Sequence, residues 1–97
     1  MKTICNDDTN AIDAFIGGNV FIRTVTHHYT GRLVAVDDKF LVLEDAAWIA
    51  DDGRFSVALS TGTLNDIEPY PDGRVLVAVG ALCDVCEWAH ALPRTVK

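Results

Sequence analysis

Basic residues are scarce in this chain. Eight Lys and Arg stand against fourteen Asp and Glu, a formal net charge of −6. The eight are Lys2, Arg23, Arg32, Lys39, Arg54, Arg74, Arg94 and Lys97, and no two are neighbours. A protein that holds nucleic acid through its phosphates gathers cations into a patch or stripe. The scattered pattern weighs against that partner, and the acidic excess repels phosphate at long range. Cysteine is equally sparse: Cys5, Cys83 and Cys86 are an odd number and make no disulfide framework. Residues 1–10 are polar and acidic, without the apolar stretch of a secretory signal. No apolar run approaches the roughly 18 residues that cross a bilayer. These absences predict a cytoplasmic protein with no membrane partner. The sequence also lacks a phosphate-cradling glycine loop, a Ser/His/Asp order and a nucleophile elbow. No enzyme is expected, no catalytic residue is assigned, and no cofactor is implied.

Apolar residues, by contrast, are abundant. They make up 49% of the 97 residues, and mean hydropathy is +0.19. The length fits a single domain over residues 1–97. A domain this small buries only about 60–65% of the surface its unfolded chain exposes. The apolar excess therefore predicts a contact surface, and so a homo-oligomer.

The pattern along the chain is mainly β. Residues 8–17 read as a short helix: Asp7, Asp8 and Thr9 offer N-caps, Ile12, Phe15 and Ile16 form one stripe, and Gly17 and Gly18 stop it. Strands are expected over 20–26, 29–37, 40–48, 74–79 and 82–88, with a weaker one over 63–68. Residues 54–60 allow one or two helical turns ending at Gly62, and the tail 89–97 reads as loose. Gly31 sits inside a strand pattern, where glycine is costly unless the strand bends sharply. Residues 33–36 and 40–43 are apolar at both parities. A strand apolar on both faces is covered on both, and a partner subunit is the expected second cover. Short strands at turn-marked spacing, with little helix, predict a small strongly bent five-stranded barrel of the SH3-like kind.

The residues then fall into a recognisable order. Two glycines lead into Val20-Phe21-Ile22-Arg23. Tyr29-Thr30-Gly31-Arg32-Leu33-Val34-Ala35-Val36-Asp37 follows, and then Leu41-Val42-Leu43-Glu44-Asp45-Ala46. This resembles the first motif of the Sm-like family, and Arg74-Val75-Leu76-Val77-Ala78-Val79-Gly80 with Leu82 to Trp88 is similar to the second. The resemblance covers about residues 10–88 apart from an insertion over about 47–70. It implies a five-stranded barrel at about 19–88 under an N-terminal α-helix. It also implies rings of six or seven subunits, closed by pairing the second motif's strands between neighbours. The interface residues it implies are Val75, Val77, Val79, Leu82 and Val85.

The family's ligand is RNA, held by a stacking aromatic or His, an Asn two residues later, and an Arg before the glycine of the second motif. The matching positions here are Asp38, Phe40 and Val79. All three depart from the pattern, and one has gained negative charge. The pocket positions Asp37, Asp38, Lys39, Phe40, Val79 and Gly80 are thus the ligand-binding candidates, with stacking and edge recognition of a base as the chemistry they have lost. An acidic ring of Asp37 and Asp38 would favour a cation or basic peptide. Two functions stay open: an RNA-associated scaffold ring, and a ring that binds protein and no nucleic acid. Cys83-x-x-Cys86 lacks the further ligands of a zinc site, so no metal is expected, and His27-His28 reads as a solvated turn.

Overall fold

Residues 11–97 are described by a computed structural model of the chain. Six strands follow the turn punctuation closely: β1 (Asn19–Thr24), β2 (His28–Val36), β3 (Phe40–Asp51), β4 (Asp66–Pro69), β5 (Arg74–Ala78) and β6 (Leu82–Glu87). They form one antiparallel sheet in the order β4-β3-β2-β1-β6, with β5 also on β3. β3 is long enough to hold two partners on one side: residues 40–44 pair β5 and residues 47–51 pair β4. β5 and β6 are joined by a 3-10 turn, Val79–Ala81, and do not pair with each other. The described sheet therefore stays open between them. It holds one strand more than the expected five, because β4 comes from inside the insertion and β3 runs on to Asp51.

The bend that divides β3 falls at Asp45. Its φ is 52°, the one non-glycine residue with positive φ among the described residues. The β2–β3 register slips there, from Thr30↔Ala47 to Arg32↔Glu44. An extra residue on one strand bends it and sharpens its twist. Gly31 lies opposite this bulge, and a Cβ on it would come to 3.2 Å from Leu43 Cβ and Cδ1 and 3.4 Å from Ala46 Cα. The expected demand for glycine thus has a local cause: β3 kinks into the space a side chain would use.

Apolar residues pack on both faces of the sheet. One cluster holds Val20, Ile22, Leu33, Leu41, Leu43, Ala46 and Val77. The other holds Phe21, Ala47, Ile49, Ala58, Leu64, Ile67 and Trp88. Val20, Phe21 and Ile22 are consecutive and all fully buried, which in a strand requires cover on each side. At residues 33–36 and 40–43, where a partner subunit is the expected second cover, Leu33, Leu41 and Leu43 are buried, while Val34, Phe40 and Val42 are half-buried and Ala35 is exposed. For β1 and the far half of β3 the chain itself supplies the second cover, through α1 (Phe55–Thr61) and Trp88. The insertion is thus part of the core. Gly62 caps α1 in the left-handed conformation, φ 77°, and its N–H donates to the Ala58 carbonyl at 2.8 Å, as the sequence predicts.

Two other expectations change. Residues Ala11–Phe15 form a 3-10 helix and not an α-helix. The caps Asp7, Asp8 and Thr9 lie outside the described residues. Ile12 and Phe15 still pack on the first cluster, while Ile16 is exposed. The tail, expected to be loose, is tied down. Trp88 Nε1 donates to the Ala91 carbonyl, the His90 ring meets the Leu59 carbonyl at 2.7 Å, and Arg94 forks onto the carbonyls of Ala46 and Tyr70. Ile67 and Lys97 exchange two backbone hydrogen bonds, at 2.9 and 3.0 Å. These bonds cover the outer edge of β4.

Candidate functional site

The family-pocket positions do come together, at the turn between β2 and β3. Asp37 Oδ1 accepts from the backbone N–H groups of Lys39 and Phe40, both at 2.8 Å, and the Asp37 N–H donates to the Phe40 carbonyl at 3.0 Å. Those two N–H donors hold the Asp37 carboxyl below the usual carboxylate range. The side chain is committed to the turn, which is ordinary work for Asp. Val79 reaches the same corner, its N–H donating to the Lys39 carbonyl at 2.8 Å. A cleft of about 390 Å³ lies beside it, lined by Ile12, Val36, Asp37, Asp38, Leu41 and Val79 among others. Asp38 is exposed and Phe40 half-buried, and Gly80 meets nothing within 4 Å at its Cβ position. The corner supplies an apolar floor, the acids Asp37 and Asp38, and Lys39, without the Asn and Arg of the family pocket.

The arginines that could have formed a basic rim are engaged by acids. Arg23 pairs with Asp84 and lies over the Phe55 ring at 4.3 Å. Arg32 pairs with Glu44 at 2.7 Å and Asp45 at 2.8 Å, and Arg74 reaches Glu44 at 3.3 Å. The Arg23 bond keeps the Asp84 carboxyl below its ordinary value. A guanidinium paired with carboxylate offers phosphate fewer free N–H donors and less net positive charge.

Of the implied interface residues, Val77 is buried in the first cluster, and Val75, Leu82 and Val85 pack against it. Their side chains serve the core of their own chain. What β5 and β6 offer outward is their main-chain edges, together with exposed Leu76 and Val79. Cys83 is exposed, while Cys86 packs against the second cluster, where burial pushes its thiol up. His27 and His28 are not both solvated: His28 Nδ1 lies 3.1 Å from Asp52 Oδ2, tying β2 to the start of the insertion.

An aromatic strip at the β4 end of the sheet has no counterpart in the sequence reading. Tyr29 pairs directly with Trp48, and Trp48 with Glu68. Direct cross-strand partners share a face, so the three side chains form one row. The rings of Tyr29 and Tyr70 stack at 6.4 Å, His27 meets Trp48 edge-on at 5.4 Å, and His27 lies 6.3 Å from Tyr29. Burial, with Tyr29 beside it, raises the Tyr70 pKa. The residues are far apart in the chain, and only the register aligns them; an aromatic at each strand end was the one available signal. No protein-family model matches the chain, and no curated protein matches it.

Proposed function

We propose that this chain is an Sm-like scaffold module that assembles with copies of itself along the open edges of β5 and β6 and presents a protein-binding surface, with its RNA pocket lost. The small antiparallel sheet, strongly bent at Asp45, supports the family reading. The observation that carries the assembly reading is a contrast between edges. β4's outer edge is covered by the tail, whereas among the described residues β5 pairs only with β3 and β6 only with β1. An uncovered strand edge is a template for another strand. β5 and β6 differ in sequence, so pairing one with the other is head-to-tail, and such contacts close into rings when the rotation allows. The engaged arginines and the acidic corner at Asp37 and Asp38 favour protein over RNA.

Light scattering at micromolar concentration tests the assembly, with a ring of six or seven subunits expected. Leu76→Lys is the fitting variant: Leu76 is 56% exposed, and lysine on an edge strand discourages pairing. Val77 is unsuitable, since it is 4% exposed and its loss would damage the fold. A monomeric wild-type chain overturns the assembly reading. Nanomolar, salt-steep binding of uridine-rich RNA in an anisotropy titration overturns the loss of the pocket.

A further inference from the structure

We propose that the row Tyr29, Trp48 and Glu68, with Tyr70 and His27 beside it, is a binding site for a cationic side chain: the ammonium or guanidinium of a basic segment on a partner protein. This site is separate from the β5 and β6 edges and does not depend on the assembly proposed above.

The row combines the two attractions an organic cation needs. Aromatic faces draw a cation within about 6 Å of their centroids through the ring quadrupole, Trp most strongly. Glu68 is exposed and has no ion-pair partner among the described residues, and it stands directly across from Trp48. A cation seated over the half-buried indole therefore meets a free carboxylate. The surroundings are held in place beforehand. The Tyr70 N–H donates to the Ala46 carbonyl at 2.9 Å, and the Tyr29 and Tyr70 rings stack at 6.4 Å. His27 is held by Thr24, whose N–H and hydroxyl both donate to the His27 carbonyl, and its ring contacts the Thr26 hydroxyl. A site already ordered loses less entropy on binding. Arg94 brings one positive charge to this end, but its guanidinium is spent on two backbone carbonyls. Nucleobases also stack on aromatic rings, but their phosphates would meet Glu68 and a chain of net charge −6.

The test follows the Trp48 indole N–H by nitrogen-15 NMR in the full chain, in the wild type and in Leu76→Lys so that assembly does not intervene. The titrants are N-acetyl-arginine amide, N-acetyl-lysine amide and, as a neutral control, N-acetyl-glutamine amide. Both cations shift the Trp48 signal and leave Trp88 in place, because Trp88 is buried and its N–H is already bonded to Ala91. Glu68→Gln, at an exposed position, weakens cation binding about threefold or more while the amide spectrum stays folded. A lysine- and arginine-rich peptide binds more tightly than either amide. Equal shifts from the neutral control, unchanged affinity in Glu68→Gln, or no shift at millimolar cation each overturn the proposal.

Discussion

At the scale of single residues, small groups decide the local geometry. Gly31→Val places a branched side chain against Leu43 and the kinked backbone at Ala46, both already at 3.2–3.4 Å. A loss of roughly 1–3 kcal/mol is expected, the usual cost of overpacking, and urea denaturation measures it. Asp37 and Asp84 act through charge. Both carboxyls have folded pKa values below the ordinary one, Asp37 through the Lys39 and Phe40 N–H donors and Asp84 through Arg23. A depressed folded pKa adds stability above the unfolded value, near about pH 3.9, and that stability is lost as pH falls through the folded value. Melting temperature should therefore drop on acidification below about pH 4. The double change Asp37→Asn and Asp84→Asn should flatten that limb, and a thermal melt series checks it. Asp37 was legible in the sequence, because it obeys a rule local to its turn; the demand for glycine at 31 was legible too, but its cause, the kink of the facing β3 at Leu43 to Ala46, was not. Trp48 and Glu68 were not, because their pairing exists only once the register is set.

At the scale of elements, the insertion behaves as a lid that belongs to the core. α1 is short and has no side-chain N-cap bond, so its order depends on what it packs against. Phe21 joins Phe55 and Trp88 at ring distances of 5.8 and 5.6 Å. Trp88→Ala removes the centre of that group and should cost about 3–5 kcal/mol, as for other buried Phe and Trp truncations. It should also raise hydrogen exchange in α1 before β2 is affected. Gly62→Ala is expected to loosen the same helix end, since a Cβ there would come to 2.8 Å of His90 Cγ at a φ of 77°. The short helix and its glycine stop were readable from residues 54–62. The cover it gives β1 was not: apolar residues on both faces state that two covers exist, and leave open whether a second subunit or a distant loop provides one. The tail misled for a related reason. Its order rests on Arg94 and on the Ile67–Lys97 bonds, which join segments distant in sequence and leave no local pattern.

At the scale of the whole molecule, the proposed assembly turns on the open side of the sheet between β5 and β6. Leu76→Lys should lower the assembled mass without lowering the melting temperature of the chain by more than about 0.5 kcal/mol equivalent, the span of ordinary surface changes. The mainly β character and most strand positions were legible, because turn residues punctuate the chain; the count of six strands and the order of the sheet were not. Nor was the closing pair, because β1 and β6 lie near opposite ends of the chain. That pairing, Val20 with Glu87 and Ile22 with Val85, has a consequence in time. On a ribosome β1 emerges well before β6, its second neighbour. Until then Phe21 lacks Trp88 and one edge of β1 is bare. Non-local pairing of this kind is slow to search for, so refolding should take milliseconds to seconds, with Trp88 burial marking the final step in stopped-flow fluorescence. A nascent chain stalled before residue 82 should be the form that chaperones hold.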